Sequence, residues 1–214
     1  MNEKTNRKTL VPAYARRPLI AVAAVGMLAY FGTRLIAGGF VHHDFSIPLD
    51  EKIPFVPAFS IIYVLAYVQW VAGYLLIARE SREVCRRVLT GEIIAKLICM
   101  VFFIAVPTTM ARAEIHSGGF FNWIVSCLYG LDAPDNLFPS IHCLDSWICF
   151  RGALQMKKTG RWYSRFSLVF TLLVFASTVL IKQHVLVDIP AGILVAEIGL
   201  FLSGKMMKIS SADR

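Results

Sequence analysis

Charged side chains are scarce in this 214-residue chain: Asp, Glu, Lys and Arg make up 17% of it, where a soluble domain usually carries about 25%. That shortage, with 57% hydrophobic residues and a mean hydropathy of +0.61, argues against an ordinary soluble fold and excludes disorder. Acidic residues are scarcer than basic ones, 14 against 22, for a net charge of +8. A nucleic-acid partner would account for the basic excess but not for so little polar surface. The cysteines (Cys85, Cys99, Cys127, Cys143, Cys149) form no C-x-x-C pair and sit mostly in apolar runs. They read as small buried hydrophobes, not as a disulfide framework or zinc site. Internal repeats, low-complexity segments and a soluble domain are also missing. What remains is a polytopic membrane protein.

Six apolar runs of roughly spanning length are present, at 19–37, 56–78, 93–111, 141–154, 166–181 and 185–203. They predict an all-α, six-helix transmembrane bundle over 19–204, preceded by a basic segment, 1–18, and followed by a tail, 205–214. The fourth and fifth runs are short and need polar end-turns inside the protein or a thinned bilayer. Gly118-Gly119 breaks the chain, and the aromatic stretch 120–129 reads as a helix lying at the membrane interface.

The basic residues set the expected orientation. Lys4, Arg7, Lys8, Arg16 and Arg17 precede the first run; Arg79, Arg82, Arg86 and Arg87 join the second to the third. Arg151, Lys157, Lys158, Arg161 and Arg165 join the fourth to the fifth, and Lys205, Lys208 and Arg214 lie in the tail. The opposite side has only Lys52, Arg112 and Lys182, a split of 17 to 3, with Arg34 and Lys96 inside runs. The positive-inside rule then places both termini in the cytoplasm. A cleaved signal peptide is the competing reading of the first run; it would leave five spans and need another account of the asymmetry.

Polar residues on the sparse side are therefore the informative ones. Asp188 follows His184 by four, which on a helix puts both side chains on one face. A carboxylate accepting one imidazole N–H fixes the tautomer and makes the other nitrogen a better base or nucleophile. His142 is a second imidazole at the same expected depth, and Arg112 an outer-face cation. The set suits phosphoryl transfer, with one His attacking phosphorus and the other protonating the leaving oxygen. The first turn after Pro139 offers backbone N–H groups and the Ser140 hydroxyl to a phosphate oxygen.

Pro139-Ser140-Ile141-His142 resembles the P-S-x-H motif of the type 2 phosphatidic acid phosphatase (PAP2) superfamily, and Ser177 to Asp188 resembles its third motif, S-R-x5-H-x3-D. Its first motif, K-x6-R-P, is represented by Arg112 alone. The resemblance implies a six-span fold with its site on the outer face, acting without metal or cofactor. It implies His184 as the nucleophile that forms a phosphohistidine, Asp188 as its orienting partner and His142 as general acid, then base. Arg112 and Ser140 would hold phosphate oxygens. The family's first-motif Lys would fall at Ala105, the Pro at Ala113 and the third-motif Arg at Thr178. Two of three cationic ligands are thus missing from their usual positions, and electrostatic stabilisation is a major catalytic effect. Lys182 is the candidate replacement if the corner before His184 is irregular; Thr178 is a possible support. The weakened pattern also resembles the branch containing sphingomyelin and inositol-phosphorylceramide synthases, which pass a phospho-headgroup to an alcohol.

Weaker signals are Asp145, three residues after His142 and able to support it or to bond within the bundle, and His42-His43-Asp44, read as a solvated loop and not a metal site. His116 and Glu114 are candidate headgroup contacts. Glu197 is read as the ion-pair partner of Lys96 or Arg34, and Pro190 as a tolerated first-turn residue. The resulting expectation is a lipid phosphatase of the plasma membrane with its site on the extracytoplasmic face. Its partners would be the bilayer and a lipid phosphate, not nucleic acid. Headgroup transfer is the alternative, and a catalytically silent lipid-phosphate binder or transporter the second.

Overall fold

The computed structural model describes residues 10–115 and 118–212. Lys4, Arg7, Lys8, His116 and Arg214 lie outside the described residues. Eight helices account for most of the rest: α1 (Ala13–Ala37), α2 (Pro48–Lys52), α3 (Ser60–Glu80), α4 (Arg82–Ala105), α5 (Phe120–Leu131), α6 (Ile141–Ala153), α7 (Gly160–Leu180) and α8 (Asp188–Ala212). Two-residue strands β1 (His43–Asp44) and β2 (Thr108–Thr109) pair in parallel, a small addition to the all-α expectation.

Five helices, α1, α3, α4, α7 and α8, are long and apolar enough to cross a membrane. The expected fourth span is not among them. Helix α6 has 13 residues, about 20 Å at 1.5 Å per residue, against a hydrocarbon core of about 30 Å. It is instead the centre of the bundle, with Cys143, Leu144, Asp145, Ser146, Ile148, Cys149, Gly152 and Ala153 all buried. Boundaries elsewhere follow capping chemistry that hydropathy does not register. Ser81 caps α4 by accepting from the Val84 N–H, so the helix starts well before the apolar run. It stops at Ala105 because Pro107 disfavours helical backbone just before it and has no N–H to give.

Close contacts fix the level of α6 within the bundle. A Cβ on Gly152 would meet Ile77 at 2.4 Å, and one on Gly73 would meet the Cys149 sulfur at 2.8 Å. Higher up, the Trp70 indole N–H donates to the Ser146 hydroxyl at 2.9 Å, and His142 stacks on Tyr63. Beyond the lower end of α6 the chain reaches the foot of α3, where the Lys157 N–H donates to the Glu80 carboxylate at 3.0 Å. Part of the shortfall of α6 therefore lies at its N-terminal end, where His142, its second residue, stands beside Tyr63, the fourth of α3, so that the start of α3 rises above it. At that same end α1, α4 and α7 finish and α3 and α8 begin. Backbone links there include Val56 N–H to Leu180 O at 2.8 Å and Ser140 N–H to Asp188 O at 3.4 Å.

The chain between α7 and α8 dips into the resulting recess. Helix α7 ends in a Schellman arrangement: Lys182 N–H donates to Val179 O at 3.2 Å and Gln183 N–H to Thr178 O at 2.9 Å, with Lys182 at φ 52°. Residues 181–187 are therefore non-helical, so the corner expected between the runs 166–181 and 185–203 extends to Asp188, where α8 begins. Helix α5 packs Val125 inward with Tyr63 and Ile181, while Phe120, Trp123 and Leu131 stay exposed. The five cysteines are free, Cys127 exposed and the others buried.

Helix α8 crosses the top of α6 at Gly192, where a Cβ would lie 2.6 Å from the Ser140 carbonyl oxygen. We predict that Gly192→Ala destabilises the protein by about 1–3 kcal/mol through overpacking against backbone. Gly130→Ala, at a helical position with nothing within 4 Å, is expected to be neutral or stabilising. Thermal unfolding of the purified proteins in detergent distinguishes the two.

Candidate active site

The recess brings His184, Asp188, His142, Ser140 and Arg112 to one end of the bundle. His184 comes from the corner and Asp188 from the first residue of α8, so their contact arises from a turn, not from one helical face. The His184 Nδ1–H donates to Asp188 Oδ2 at 3.0 Å, and that oxygen also accepts the Val185 N–H at 3.1 Å. Asp188 is fully buried and its Oδ1 has no partner among the described residues. One carboxylate thus fixes both the ring and the backbone beside it, leaving His184 Nε2 without a hydrogen bond among the described residues. The His184 backbone is held as well, its N–H donating to Thr178 O at 3.1 Å.

His142, the second residue of α6, sits with its ring centroid 5.9 Å from that of His184. Three aromatic side chains of α3 enclose it: Tyr63 stacks at 4.2 Å, Trp70 lies at 5.0 Å and Tyr67 meets it edge-on at 5.5 Å. Both ring nitrogens face phenols, Nδ1 that of Tyr63 at 3.3 Å and Nε2 that of Tyr67 at 3.1 Å. The Tyr63 hydroxyl also reaches Asp132 Oδ2 at 3.5 Å, and Asp132 Oδ1 accepts from Tyr30. A carboxylate only accepts, so Tyr63 gives its proton to Asp132 and accepts the Nδ1–H of His142. Nε2 is then the free lone pair of the neutral ring, and Tyr67 donates to it.

Arg112 follows β2 and is half-buried. It donates to Tyr129 O at 3.0 Å and to Gln183 Oε1 at 2.7 Å, with its guanidinium 4.4 Å from the Tyr129 ring centre. Burial lowers its pKa, opposed by the Asp132 charge; a guanidinium stays protonated regardless. Ser140 is fully buried as the N-cap of α6, its oxygen accepting the Cys143 N–H at 3.3 Å. Its own proton is still available to an acceptor.

Other expected residues have different neighbours. Lys182 turns its ammonium to the Asp50 carbonyl, at 2.7 Å. Thr178 is fully buried with its hydroxyl on Phe175 O at 2.8 Å. Asp145 is engaged by Lys96 at 3.2 Å, which also binds Glu92 at 2.7 Å, while His142 gives both nitrogens to phenols. Glu197 pairs with neither Lys96 nor Arg34 but with two residues of α6, Arg151 at 2.8 Å and the Trp147 indole at 2.7 Å. Arg34 pairs with Asp135 at 3.0 Å. In the His42-His43-Asp44 run, His43 and Asp44 are in β1, and Asp44 accepts from Ser46. Pro190 falls in the first turn of α8.

Asp50, Tyr63, Tyr67, Asp132 and Gln183 were not anticipated. Asp50 straps α2 to the corner, accepting the Leu186 N–H at 2.8 Å and the Ile47 N–H at 2.9 Å. A carboxylate in a short polar loop gives no sequence signal beyond a helix cap. Asp132 precedes His142 by ten residues, a spacing that carries no signal, and Asp145 is the nearer carboxylate in sequence.

A family model described as the PAP2 superfamily matches residues 38–202. The chain belongs to the PAP2 superfamily. No curated protein and no solved structure gives a match. The matched region runs from the end of α1 through most of α8 and so contains every residue of the recess. Membership and five candidate spans make this an integral membrane protein and a phosphatase-like enzyme.

The Tyr63–Asp132 link has a direct spectroscopic consequence. In 15N-histidine spectra, neutral His142 is expected as the Nδ1–H tautomer; Tyr63→Phe, which removes the acceptor, should shift it toward a mixture. An unchanged tautomer would detach Asp132 from His142.

Proposed function

We propose that this protein is a lipid phosphatase that hydrolyses a phosphomonoester or pyrophosphate of a membrane lipid at the outer leaflet through a phosphohistidine intermediate. The observation that carries this reading is the His184–Asp188 pair, with Nδ1 clamped, Nε2 open and a second imidazole 5.9 Å away between ring centroids. That spacing suits a phosphoryl group between the rings.

In the first half-reaction His184 Nε2 attacks phosphorus and the bond to the leaving oxygen breaks. His142, protonated on both nitrogens, gives its Nε2 proton to that oxygen, while Nδ1–H stays on Tyr63. Asp188 stabilises the positive charge that develops on His184. Neutral His142 Nε2 then takes the proton of an incoming water, which attacks phosphorus and releases His184. Arg112 and the Ser140 hydroxyl hold phosphoryl oxygens. Lys182 acts in this scheme through Asp50 as a strut for the corner. No step needs a metal or cofactor. The excess of Lys and Arg at the far end of the bundle supports a cytoplasmic assignment for that end, with the site outside and the plasma membrane as the location.

A second reading, transfer of a phospho-headgroup to a lipid alcohol, is favoured by Tyr67. Its phenol stands at His142 Nε2 where an acceptor hydroxyl would bind. It is 46% exposed on a face shared with exposed Val64, Val68 and Val71, which suits an acceptor arriving from hydrocarbon.

Incubation with a panel of lipid phosphates, with and without a lipid alcohol, separates the readings: free phosphate means hydrolysis, and a new phosphodiester without free phosphate means transfer. We predict that His184→Ala abolishes both turnover and phosphoryl labelling, and retained labelling would remove it as nucleophile. His142→Ala should lose far less rate, by roughly 10²-fold or more, on substrates with good leaving groups than on poor ones. Equal losses would count against its acid role.

A further inference from the structure

Arg112 and Gln183 form one hydrogen-bonded unit beside His184, and that unit carries donors it does not use. The Arg112 guanidinium donates to Gln183 Oε1 at 2.7 Å. A guanidinium has no acceptor, so the amide atom facing it is the oxygen and the orientation of Gln183 is fixed. Its Nε2 is left without a partner among the described residues, in a side chain only 1% exposed. Arg112 Nε is likewise buried and without one. Buried donors are normally satisfied, and two orphans in one pair of side chains call for an acceptor between them. The Gln183 backbone is held as the last link of the Schellman arrangement closing α7, and its amide is held by Arg112.

We infer that Gln183 is a phosphoryl-oxygen ligand that acts beside Arg112 and takes over part of the task of the absent cations. This rests on the phosphoryl-transfer reading above. At the position where the family Arg would fall, the Thr178 hydroxyl is committed elsewhere, donating to Phe175 O at 2.8 Å. Gln183 lies next to His184, so an oxygen bridging Gln183 Nε2 and Arg112 Nε belongs to the phosphoryl group under attack. A neutral amide gives a directional hydrogen bond without adding charge. Preorganised donors of this kind act on charge developing in the transition state.

The test uses the full-length protein in detergent, with Gln183→Leu and Gln183→Glu, alone and with Arg112→Ala. The near-isosteric Glu variant keeps an acceptor for Arg112 but loses the donor, so it covers the case in which the Leu variant fails to fold. The readouts are the rate of His184 labelling from a radiolabelled lipid phosphate and the rise in unfolding temperature caused by orthovanadate. Both variants are expected to slow labelling by about 10- to 100-fold and to weaken vanadate binding in proportion. Gln183→Leu should weaken vanadate binding further in the Arg112→Ala background. Wild-type labelling and vanadate binding in Gln183→Glu would overturn the inference, as would no added loss in the Arg112→Ala background, which would make Gln183 a positioning residue for Arg112 only. If wild type binds vanadate in a Gln183-dependent way but labels with no lipid phosphate, the inference stands and the functional reading falls.

Discussion

The level of α6 governs everything at the end of the bundle that carries the site. A helix of 13 residues surrounded by longer ones leaves space beyond its ends, and at the N-terminal end His142 stands beside Tyr63 with the start of α3 above it. The N-terminus of a helix is where backbone N–H groups lack intrahelical partners. Ser140 satisfies one of them, and His142 is delivered within the first turn. A longer α6 would carry the same residues up to the level of the loops, where water competes for every hydrogen bond. Shortness is thus what sinks the polar chemistry below the rim.

The opposite wall has to come down to meet it. Helix α7 runs up to Leu180, level with Val56, and the corner then descends to Asp188 beside Ser140. A descending, non-helical stretch inside a bundle exposes backbone groups that must be paired. Thr178 O takes two of them, Asp188 takes Val185 N–H, and Asp50 takes Leu186 N–H from across the rim. Asp188 and Asp50 therefore do related tasks, each tying a carboxylate to the backbone of the corner that bears His184. The Lys182 ammonium on the Asp50 carbonyl adds a third tie.

Legibility in the sequence followed the range of the interactions. His184 and Asp188 were visible because they are four residues apart, and Ser140 and His142 because they share one turn; motif and chemistry coincide over short distances. The partners that complete the site come from far along the chain: Tyr63 is 79 residues from His142, Gln183 is 71 from Arg112 and Asp50 is 136 from Leu186. Tyr, Gln and Asp at those positions have no periodicity to set them apart from interface or loop residues. The short α6 was legible as a short run but not as a buried centre, because apolar lipid-facing and apolar core residues have the same hydropathy. Asp145 shows the local rule misleading: its spacing from His142 suggested support, yet a buried ammonium on α4 was the stronger claimant.

That ammonium bears on the site indirectly. Lys96 sits between Glu92 and Asp145, with relative side-chain exposures of 6%, 0% and 5%. Gly26 of α1 leaves it room, a Cβ there falling 3.3 Å from Nζ. Buried ion pairs add little net stability over apolar packing, but removing one partner strands a charge and is costly. Their value is positional. Apolar helices packed through small residues have many registers of similar energy, whereas an ammonium between two carboxylates has one. Asp145 lies one turn below His142, so the pair that holds α6 against α4 also sets the height at which His142 meets Tyr63 and His184.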